Sequence, residues 1–460
     1  MSRTLAARMA EYSVGLRIED LPVAVVHEVK RRLLDSIGCA LGAWDAEPSV
    51  VGRKIAKTLS ADRGATLIGT RHKSPSDWAA FVNGCMVRYL DYNDTYLSRE
   101  PAHPSDNIPA ALALAESNGA SGREFITSVV IAYEVQCQLC DAASLRSIGW
   151  DHVTYGAFST ALAASRVMGL DAERTRHAVN IAGVRSAALR QSRVGELSHW
   201  KGCAFADAAR HGVFAAMLAR EGMTGPSPIF EGEKGFEKLV SGPLVLNGPF
   251  ADIPTQSGTD CMICNTSIKC WPVEYHAQSA VDAALQLRLK ISGVDQIASV
   301  LVESHDAAVD IIGSEPEKWS PTTRETADHS LPYIVAAVLA DGEMTDRQFA
   351  PQRLRDAHLL ALVQKVKVVR NRELSAAYPG AVGNIVTVTM TNGESFARRV
   401  DHACGHARNP MSDELLERKF HSLADPRLGS GRAAEVIAWV RNLDQAPNMN
   451  GLFPLIEVTG

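Results

Sequence analysis

Small residues, above all alanine, crowd several segments of this chain that also carry the apolar repeat of an α-helix. One apolar face recurs at Val26, Val29, Leu33, Ile37 and Leu41, and alanines fill the segments 157–164 and 204–219. Apolar residues three and four apart indicate helices, and small faces let neighbouring helices approach closely. We therefore predict a bundle of helices for about the first 290 residues, with helical segments at 74–93, 121–145, 156–169, 171–184, 200–221 and 272–288.

The pattern changes in the second half of the chain, where short strands become the predicted elements. The predicted strands are 296–303, 365–369, 384–390 and 395–400. Asn392-Gly393 separates the last two strands and predicts a hairpin with a type I′ turn. Helical periodicity returns at 411–424 and 430–443.

These patterns predict an α+β protein with more than one domain. We expect a large all-helical domain from residues 1–267 together with 403–460, and a smaller α+β domain, residues 268–402, inserted into it. With 460 residues, the chain is long enough for two or three domains. An inserted domain leaves a cleft beside it, and clefts host ligand sites. We therefore expect the inserted domain to act as a lid.

Charge and composition exclude several classes of protein. Lys and Arg total 47 against 52 Asp and Glu, so the net charge is −5 and no basic excess points to nucleic acid. No stretch approaches the roughly 18 apolar residues that a membrane helix needs, and the first residues lack the apolar core of a signal peptide. The nine cysteines are scattered rather than arranged as a secreted disulfide framework, which favours a cytoplasmic location.

The densest polar cluster of the helical half surrounds Asp91 and His103. Asp91 and Thr95 are four residues apart, so a continuing helix would place them on one face. Pro104 pushes His103 out of helical geometry. A helix end that presents a carboxylate, a hydroxyl and an imidazole is suited to acid–base chemistry, although ordinary capping of a polar helix end explains the same residues.

His152 and Lys201 each stand at the start of a predicted small-residue helix. His152 lies in a glycine-flanked turn, 149–156, where it either contacts a ligand or caps the helix. Lys201 at a helix N-terminus opposes the helix dipole, and a bound anion would relieve that repulsion. The alternative for Lys201 is a solvated surface lysine, yet its unfavourable placement favours a functional role.

Two further polar stretches lie at the start of the α+β part and inside it. Lys269, Glu274 and His276 fall close together where the chain passes from one predicted domain to the next. They are candidates for a cleft, and a polar linker followed by a helix start is the alternative. Tyr333 closes the second stretch, 323–333. For this stretch a capped helix start with Tyr333 in the core is the favoured interpretation.

Metal and nucleotide sites receive weaker support. Cys137-x-x-Cys140 and Cys261-x-x-Cys264 have the spacing of zinc ligands, but the first pair stands in an apolar helical stretch, where cysteines behave as small hydrophobic residues. The segment 401–406 carries one Asp, one Cys and two His residues that could bind a transition metal, but an ordinary turn accounts for the same residues. No phosphate-binding glycine motif follows a strand. We therefore predict no metal and no cofactor.

Taken in order, these motifs resemble the MmgE/PrpD family. The resemblance covers nearly the whole chain, because motifs from its start, middle and end occur in the family's order. The motifs are Asp35-Ser-Ile-Gly-Cys-Ala-Leu-Gly, Asn83-Gly84, Leu90-Asp91-Tyr-Asn-Asp94-Thr95, His103-Pro104-Ser105, Asn180-Ile-Ala-Gly183, Lys201-Gly202, Lys269 through Pro-Val-Glu-Tyr-His276-Ala-Gln278, Ala327-Asp-His-Ser-Leu-Pro-Tyr333, Asn409-Pro-Met-Ser412 and Lys419-Phe420.

The resemblance implies a helical domain with an α+β lid, an active site in the cleft between them, a homodimer, and chemistry without a metal or an iron–sulfur cluster. Family members act on small polycarboxylates and include 2-methylcitrate dehydratases, cis-aconitate decarboxylases and an iminodisuccinate epimerase. Carried over by motif, the site residues are Asp91, Thr95, His103, His152, Lys201, Lys269 and Tyr333, and Glu274 and His276 are added as substrate-binding candidates. Decarboxylases tend to carry a histidine at the position of Glu274, so this residue favours dehydration.

The expected reaction is loss of water from a tertiary alcohol that bears three carboxylates, with 2-methylcitrate as the first candidate. Lys201 and Lys269 would stabilise the negative charge that builds up beside a carboxylate, with His152 as a further donor. His103 and Asp91 are expected to share the acid and base roles, and His103 is favoured for proton transfer because histidine ordinarily titrates near neutral pH.

Within the same scheme, Tyr333 would reach in from the lid and donate to a substrate oxygen. Three alternatives stay open: decarboxylation of cis-aconitate, epimerisation of an imino-diacid, and carboxylate binding without catalysis. Released CO₂ separates the first from dehydration, and binding without turnover would support the last.

Overall fold

A computed structural model describes residues 3–195, 197–251 and 261–459 of the chain. Their contacts divide them into two compact units. The first unit contains 3–195, 199–251, 261–266 and 412–459, and the second contains 267–411 together with 197–198. In sequence, parts of the first unit therefore stand on both sides of the second. The expected role of the second unit as a lid stays a prediction.

The protein is a mixture of helices and a few short strands. In the described residues the helices are α1 (Leu5–Gly15), α2 (Val23–Gly42), α3 (Glu47–Ala56), α4 (Ser76–Tyr89), α5 (Ile108–Asn118), α6 (Gly122–Ala142), α7 (Gly156–Val167), α8 (Ala172–Val184), α9 (Trp200–Arg220), α10 (Gln278–Arg288), α11 (Asp306–Ile312), α12 (Arg324–Ala327), α13 (Leu331–Asp341), α14 (Pro351–Leu354), α15 (Ala357–Val363), α16 (Arg372–Ala377), α17 (Asp413–Leu428) and α18 (Ser430–Arg441). The strands are β1 (Ala65–Thr66), β2 (Lys73–Ser74), β3 (Asp94–Thr95), β4 (Ser267–Ile268), β5 (Ile297–Ser304), β6 (Val366–Arg370), β7 (Asn384–Met390) and β8 (Ser395–Val400).

Small residues pack the helices of the first unit at short range. Helix α9 contacts α4, α7 and α8. A Cβ atom on Gly212 of α9 would lie 2.7 Å from the carbonyl oxygen of Ala157 in α7, and one on Gly84 of α4 would lie 2.9 Å from Cβ of Ala206. Side chains larger than hydrogen would clash at both points. The small-residue segments therefore form the closely packed helices that the sequence predicts.

The first unit departs from the all-helical prediction because it contains strands: β1 and β2 pair antiparallel with Ala65 opposite Ser74, and β3 also belongs to this unit. A second departure concerns the end of α4. The helix predicted over 74–93 ends at Tyr89, and Asp91 follows with φ +51°, in the left-handed region. Thr95 belongs to β3. The prediction that Asp91 and Thr95 share one helix face is therefore wrong.

The second unit is built on a four-stranded sheet in the order β6-β5-β7-β8. Strands β5 and β6 are parallel, whereas the other two pairs are antiparallel. Val300 and Val302 of β5 are buried opposite Val388 and Val386 of β7. Helices α10 and α13 pack against these strands, so the sheet and its helices enclose one core. Most residues of β8 are exposed.

The predicted hairpin between β7 and β8 is present, but its turn differs from the prediction. A type I′ turn needs positive φ at both central residues. Gly393 has φ +89°, whereas Asn392 does not have a positive φ. The amide of Met390 donates to the carbonyl of Glu394 at 2.8 Å, which leaves three residues in the loop. A three-residue loop with glycine in the left-handed region is the next most common hairpin connection.

The described part of the chain contains no helix whose length and hydropathy would let it cross a membrane.

Candidate active site

Arg88 contacts two of the predicted site residues of the first unit, Asp91 and His103, and Asp91 in turn contacts a third, Lys201. Arg88 stands in the last turn of α4, and its Nη1 pairs with Oδ1 of Asp91. Its Nη2 lies 2.9 Å from Nε2 of His103. Lys201, the second residue of α9, places Nζ 3.4 Å from Oδ2 of Asp91. All four side chains are at least partly buried, and Lys201 is 5% exposed rather than solvated.

The contacts of His103 determine which of its ring nitrogens carries the proton. Nδ1 lies 2.7 Å from the carbonyl oxygen of Asp94, which can only accept, so Nδ1 donates. Nε2 therefore accepts the bond from Arg88, which can only donate. His103 is neutral in this arrangement. The hydroxyl of Thr95 lies 3.3 Å from Nδ1 of His103, so Thr95 does join the cluster, although not through a helix face.

His152 and Asp151 form a second pair beside His103. Nδ1 of His152 lies 3.0 Å from Oδ1 of Asp151, and the ring centroids of His152 and His103 are 5.9 Å apart. Burial would raise the pKa of Asp151, but the charges of Arg193 and His152 and the hydrogen bond from Ser192 bring it well below its usual range. Asp151 is therefore a carboxylate that keeps the proton on Nδ1.

The other nitrogen of His152 faces away from Asp151. Nε2 is buried and has no hydrogen-bond partner among the described residues. An orphaned polar atom of this kind costs free energy unless water or a ligand satisfies it. The Asp151 carboxylate fixes the ring from the opposite side, as the orienting acid does in a catalytic triad. This arrangement leaves Nε2 of His152 chemically able to exchange a proton with a molecule bound next to it.

Asp106 is a buried acid next to the same arginine. Its Oδ2 lies 3.7 Å from Nε of Arg88, and its Oδ1 accepts a 2.7 Å hydrogen bond from Asn93. Burial raises the pKa of Asp106 to about 7; Arg88 opposes this rise, and Asp94 adds to it. The carboxyl group thus changes its protonation near neutral pH, next to the residue that holds both Asp91 and His103.

The second unit holds a separate polar group around Glu274. Its Oε1 lies 2.7 Å from Nδ1 of His276, and its Oε2 accepts the amide of the same residue at 2.8 Å, which caps the short helix before α10. Burial would raise the pKa of Glu274, but the charge and hydrogen bond of His276, together with the charges of His329 and Lys269, lower it to about 2. Lys269 is 1% exposed.

Two residues that the sequence analysis did not select surround His276. The rings of His276 and His305 are 5.0 Å apart, and His305 stacks on Tyr378 at 4.6 Å. Nδ1 of His305 accepts the amide of Ala308 at the start of α11. Burial and the charge of His276 lower the pKa of His305 to about 3, so His305 is a neutral packing partner of His276.

Tyr333 lies in the hydrophobic core of the second unit. It is fully buried, and its hydroxyl donates a 2.6 Å hydrogen bond to the carbonyl of Gln348. Ser330 caps α13 by accepting the amide of Tyr333 at 3.1 Å. These contacts match the structural alternative for this stretch, a capped helix start with Tyr333 in the core.

The three stretches considered as metal sites, Cys137-x-x-Cys140, Cys261-x-x-Cys264 and segment 401–406, do not bring three possible ligands together in the described residues. No cysteine there belongs to a group of three potential ligands whose donor atoms lie within 4.8 Å of one another. Cys137 and Cys140 are fully buried in α6, and burial raises the pKa of both thiols. Cys261-x-x-Cys264 and segment 401–406 likewise form no such group.

Sequence reasoning missed Arg88, Asp151 and Asp106 as functional candidates. Arg88 precedes Asp91 by three residues at a helix end, and Asp151 adjoins His152, so both stood inside motifs already singled out. Their importance depends on side-chain direction, which a single sequence does not reveal. His305 offers no local signal, because it approaches His276 only through the packing of α11.

Comparison with known proteins identifies the family. The model of the MmgE/PrpD N-terminal domain matches residues 7–247, and that of the C-terminal domain matches 271–445. The chain belongs to the MmgE/PrpD family. It is 30% identical to the 2-methylcitrate dehydratase of Cupriavidus necator over 90% of this chain and 88% of that protein.

Two further relatives of this MmgE/PrpD protein bear on its reaction. The 2-methylcitrate dehydratase of Escherichia coli K12 is 29% identical over 82% of this chain and 81% of its own length. The human cis-aconitate decarboxylase is 26% identical over 99% of this chain and 95% of its own length. Dehydratases and decarboxylases are both lyases, so the prediction that this chain is an enzyme of that class is confirmed.

Proposed function

We propose that this protein is a metal-independent hydro-lyase that dehydrates a small tricarboxylate with a tertiary hydroxyl group, with 2-methylcitrate converted to 2-methyl-cis-aconitate as the first candidate reaction. The observation that carries the proposal is the buried, unpartnered Nε2 of His152, whose ring Asp151 contacts. The ring centroid of His152 lies 5.9 Å from that of His103, which contacts Arg88, and Arg88 and Lys201 both pair with Asp91. The names of the bacterial relatives support the choice of substrate.

His152 takes the proton in the proposed reaction. The proton leaves the carbon next to a carboxylate, and Nε2 accepts it while Asp151 stabilises the resulting imidazolium. As the double bond forms, the C–O bond to the tertiary hydroxyl breaks, and protonated His103 gives the departing oxygen the proton that completes a water molecule. For this step Nε2 of His103 carries a proton and exchanges the contact with Arg88 that this structure has for one with the substrate hydroxyl. His152, expected from the sequence as a further donor, is therefore given the role of base, which the sequence analysis assigned to the pair His103 and Asp91.

Lys201 stabilises the negative charge that builds up on the substrate carboxylate. Its 3.4 Å distance to Asp91 is longer than the about 2.7–2.9 Å of a strong charge-assisted hydrogen bond, so this pair is loosely held. Asp91 pairs with two cations, Arg88 and Lys201, so we assign it the role of orienting Lys201. A preorganised cation of this type contributes about 3–4 kcal/mol to the transition state.

We assign Lys269, Glu274 and His276 of the second unit to the same substrate. Glu274 is charged and orients His276, while the lysine supplies a second cation for a substrate with three carboxylates. Thr95 completes the proposed binding set through its contact with His103. Tyr333 is given no proton-transfer role, because its hydroxyl is bonded within the core. The homodimer and the cytoplasmic location stay predictions.

The direct test is an ultraviolet assay for an unsaturated tricarboxylate, with 2-methylcitrate, citrate and cis-aconitate compared, with and without chelator. The proposal expects alkene formation from 2-methylcitrate that chelator does not change. The match to human cis-aconitate decarboxylase over 99% of this chain makes decarboxylation the second candidate. Release of CO₂ equal to the tricarboxylate consumed would select that reaction instead.

A further inference from the structure

Lys419 of α17 is bonded to the turn that carries Asp91. Its Nζ donates a 2.7 Å hydrogen bond to the carbonyl of Tyr92 and lies 3.8 Å from the centroid of the Tyr92 ring. The same Nζ is 2.6 Å from Oδ1 of Asp35 in α2. Both charged side chains are almost completely buried, with 4% and 1% of their surface exposed. A buried ion pair therefore terminates on the residue next to Asp91.

The backbone around this pair is held rigidly. A Cβ atom on Gly38 of α2 would lie 3.1 Å from Phe420, and one on Gly42 would lie 2.8 Å from Leu423. Helices α2 and α17 therefore meet at glycines, at a separation that larger residues would not allow. Because both helices are fixed in this way, Lys419 has little freedom to follow a shift of the turn.

The turn itself is in an unfavourable conformation that needs support. Asp91 is the single non-glycine residue with positive φ in the described ranges, and such residues persist when their surroundings determine them strongly. Lys419 holds the residue after Asp91. The next residue, Asn93, is fixed by its own side chain, because its Nδ2 donates hydrogen bonds to Ser105 at 2.9 Å and to Asp106 at 2.7 Å.

We propose that Lys419 is a positioning residue for catalysis: it holds the 91–93 turn so that Asp91 meets Arg88 and Lys201 in the productive geometry. The catalytic consequence rests on the proposed function, whereas the effect on the turn does not. Helix α17 lies within the part of the chain that matches the family's C-terminal domain. It nevertheless belongs to the first unit, where Lys419 supports the turn that carries Asp91.

The test variant removes both charges, because removing Lys419 alone would leave Asp35 buried without a partner. It is D35N/K419M, and its matched control is K30M/D444N, which removes another ion pair of α2 at a distance from Asp91. Hydrogen exchange of the peptide spanning 88–95 is measured in both. We expect faster exchange in that peptide for D35N/K419M alone. Unchanged exchange, or an equal increase throughout the first unit, would overturn the proposal.

A double-mutant cycle with D91N separates an effect of Lys419 on the position of Asp91 from a general loss of stability. The variants are D91N, D35N/K419M and the triple variant D35N/D91N/K419M, each assayed for kcat and KM of dehydration. We expect D35N/K419M to lower kcat by about tenfold to a hundredfold and to have no further effect once Asp91 is absent, with partial rescue in K419R. Independent, multiplicative losses would show that Lys419 does not act through Asp91. A wild-type enzyme without dehydratase activity would refute the proposed function, and the exchange result would still decide the role of Lys419.

Discussion

Nδ1 of His152 lies 3.0 Å from Oδ1 of Asp151, and this contact leaves Nε2 of the same ring as a buried atom without a hydrogen-bond partner in the described part of the chain. His103, by comparison, has both ring nitrogens engaged by Asp94 and Arg88. The two histidines are thus unequal although their sequence motifs look alike. Only His152 offers a ring nitrogen to a bound molecule without first losing a contact.

Replacing His152 with glutamine should remove most turnover. The amide cannot take up a proton, and general acid–base catalysis by a positioned side chain is worth about 10²–10⁴-fold. Initial rates of alkene formation measure the loss, and H27Q, which alters a partly exposed histidine of α2, is the control. The asparagine variant of Asp151 should show a loss of similar order because the tautomer of His152 is no longer fixed. An H152Q enzyme with wild-type kcat would remove His152 from the mechanism.

Replacing Lys201 with methionine should lower kcat/KM by about 10²–10³-fold, since one preorganised donor at a developing charge contributes about 3–4 kcal/mol. The arginine variant keeps the charge and should recover part of the loss. K54M, at an exposed position of α3, controls for the change in net charge. If K201M and K54M have equal kcat/KM, Lys201 does not contact the reacting substrate.

The E274Q variant should be less stable than the wild type at neutral pH, and the difference should shrink in acid. The pKa of Glu274 is lowered from 4.5 to about 2 in the folded protein, so its ionisation stabilises the fold above pH 4.5 by about 3 kcal/mol. That stabilisation is lost as the pH falls from 4.5 towards 2. Denaturant unfolding of the wild type and E274Q at several pH values measures the difference. A difference that does not depend on pH would contradict this account of Glu274.

The Y333F variant distinguishes a core residue from a catalytic one. Loss of the hydrogen bond to Gln348 should lower the free energy of unfolding by about 1 kcal/mol, while kcat stays close to that of the wild type. Thermal unfolding and the dehydration assay provide the two measurements. A large fall in kcat with unchanged stability would return Tyr333 to the reaction.

Elements with a clear period were the most predictable part of the fold. Strands β7 and β8 have the predicted ends, because alternating burial along Asn384–Met390 produces a period of two that few other structures share. The end of α4 was not predictable in the same way. Asp91 takes a left-handed conformation that glycine usually supplies, and the contacts that hold it there come from residues such as Lys419, 327 positions away from Tyr92.

The candidate site was predictable as a set of residues but not as an arrangement. Asp91, His103, His152 and Lys201 came from motifs and resemblance, and the structure joins them within the first unit through Arg88 and the two histidine rings. Which histidine is unpartnered depends on where neighbouring side chains point. No spacing rule contains that information, and the roles of His103 and His152 in proton transfer stay predictions.

The central claim is that the first unit binds one tricarboxylate next to the cation of Lys201, and calorimetric titration with propane-1,2,3-tricarboxylate, which has no hydroxyl group to lose, tests it most directly. Wild-type protein and K201M are compared, with K54M as the control. We predict one ligand per chain, with affinity at least about tenfold weaker in K201M and unchanged in K54M. An affinity that is the same in K201M and the wild type would contradict the account.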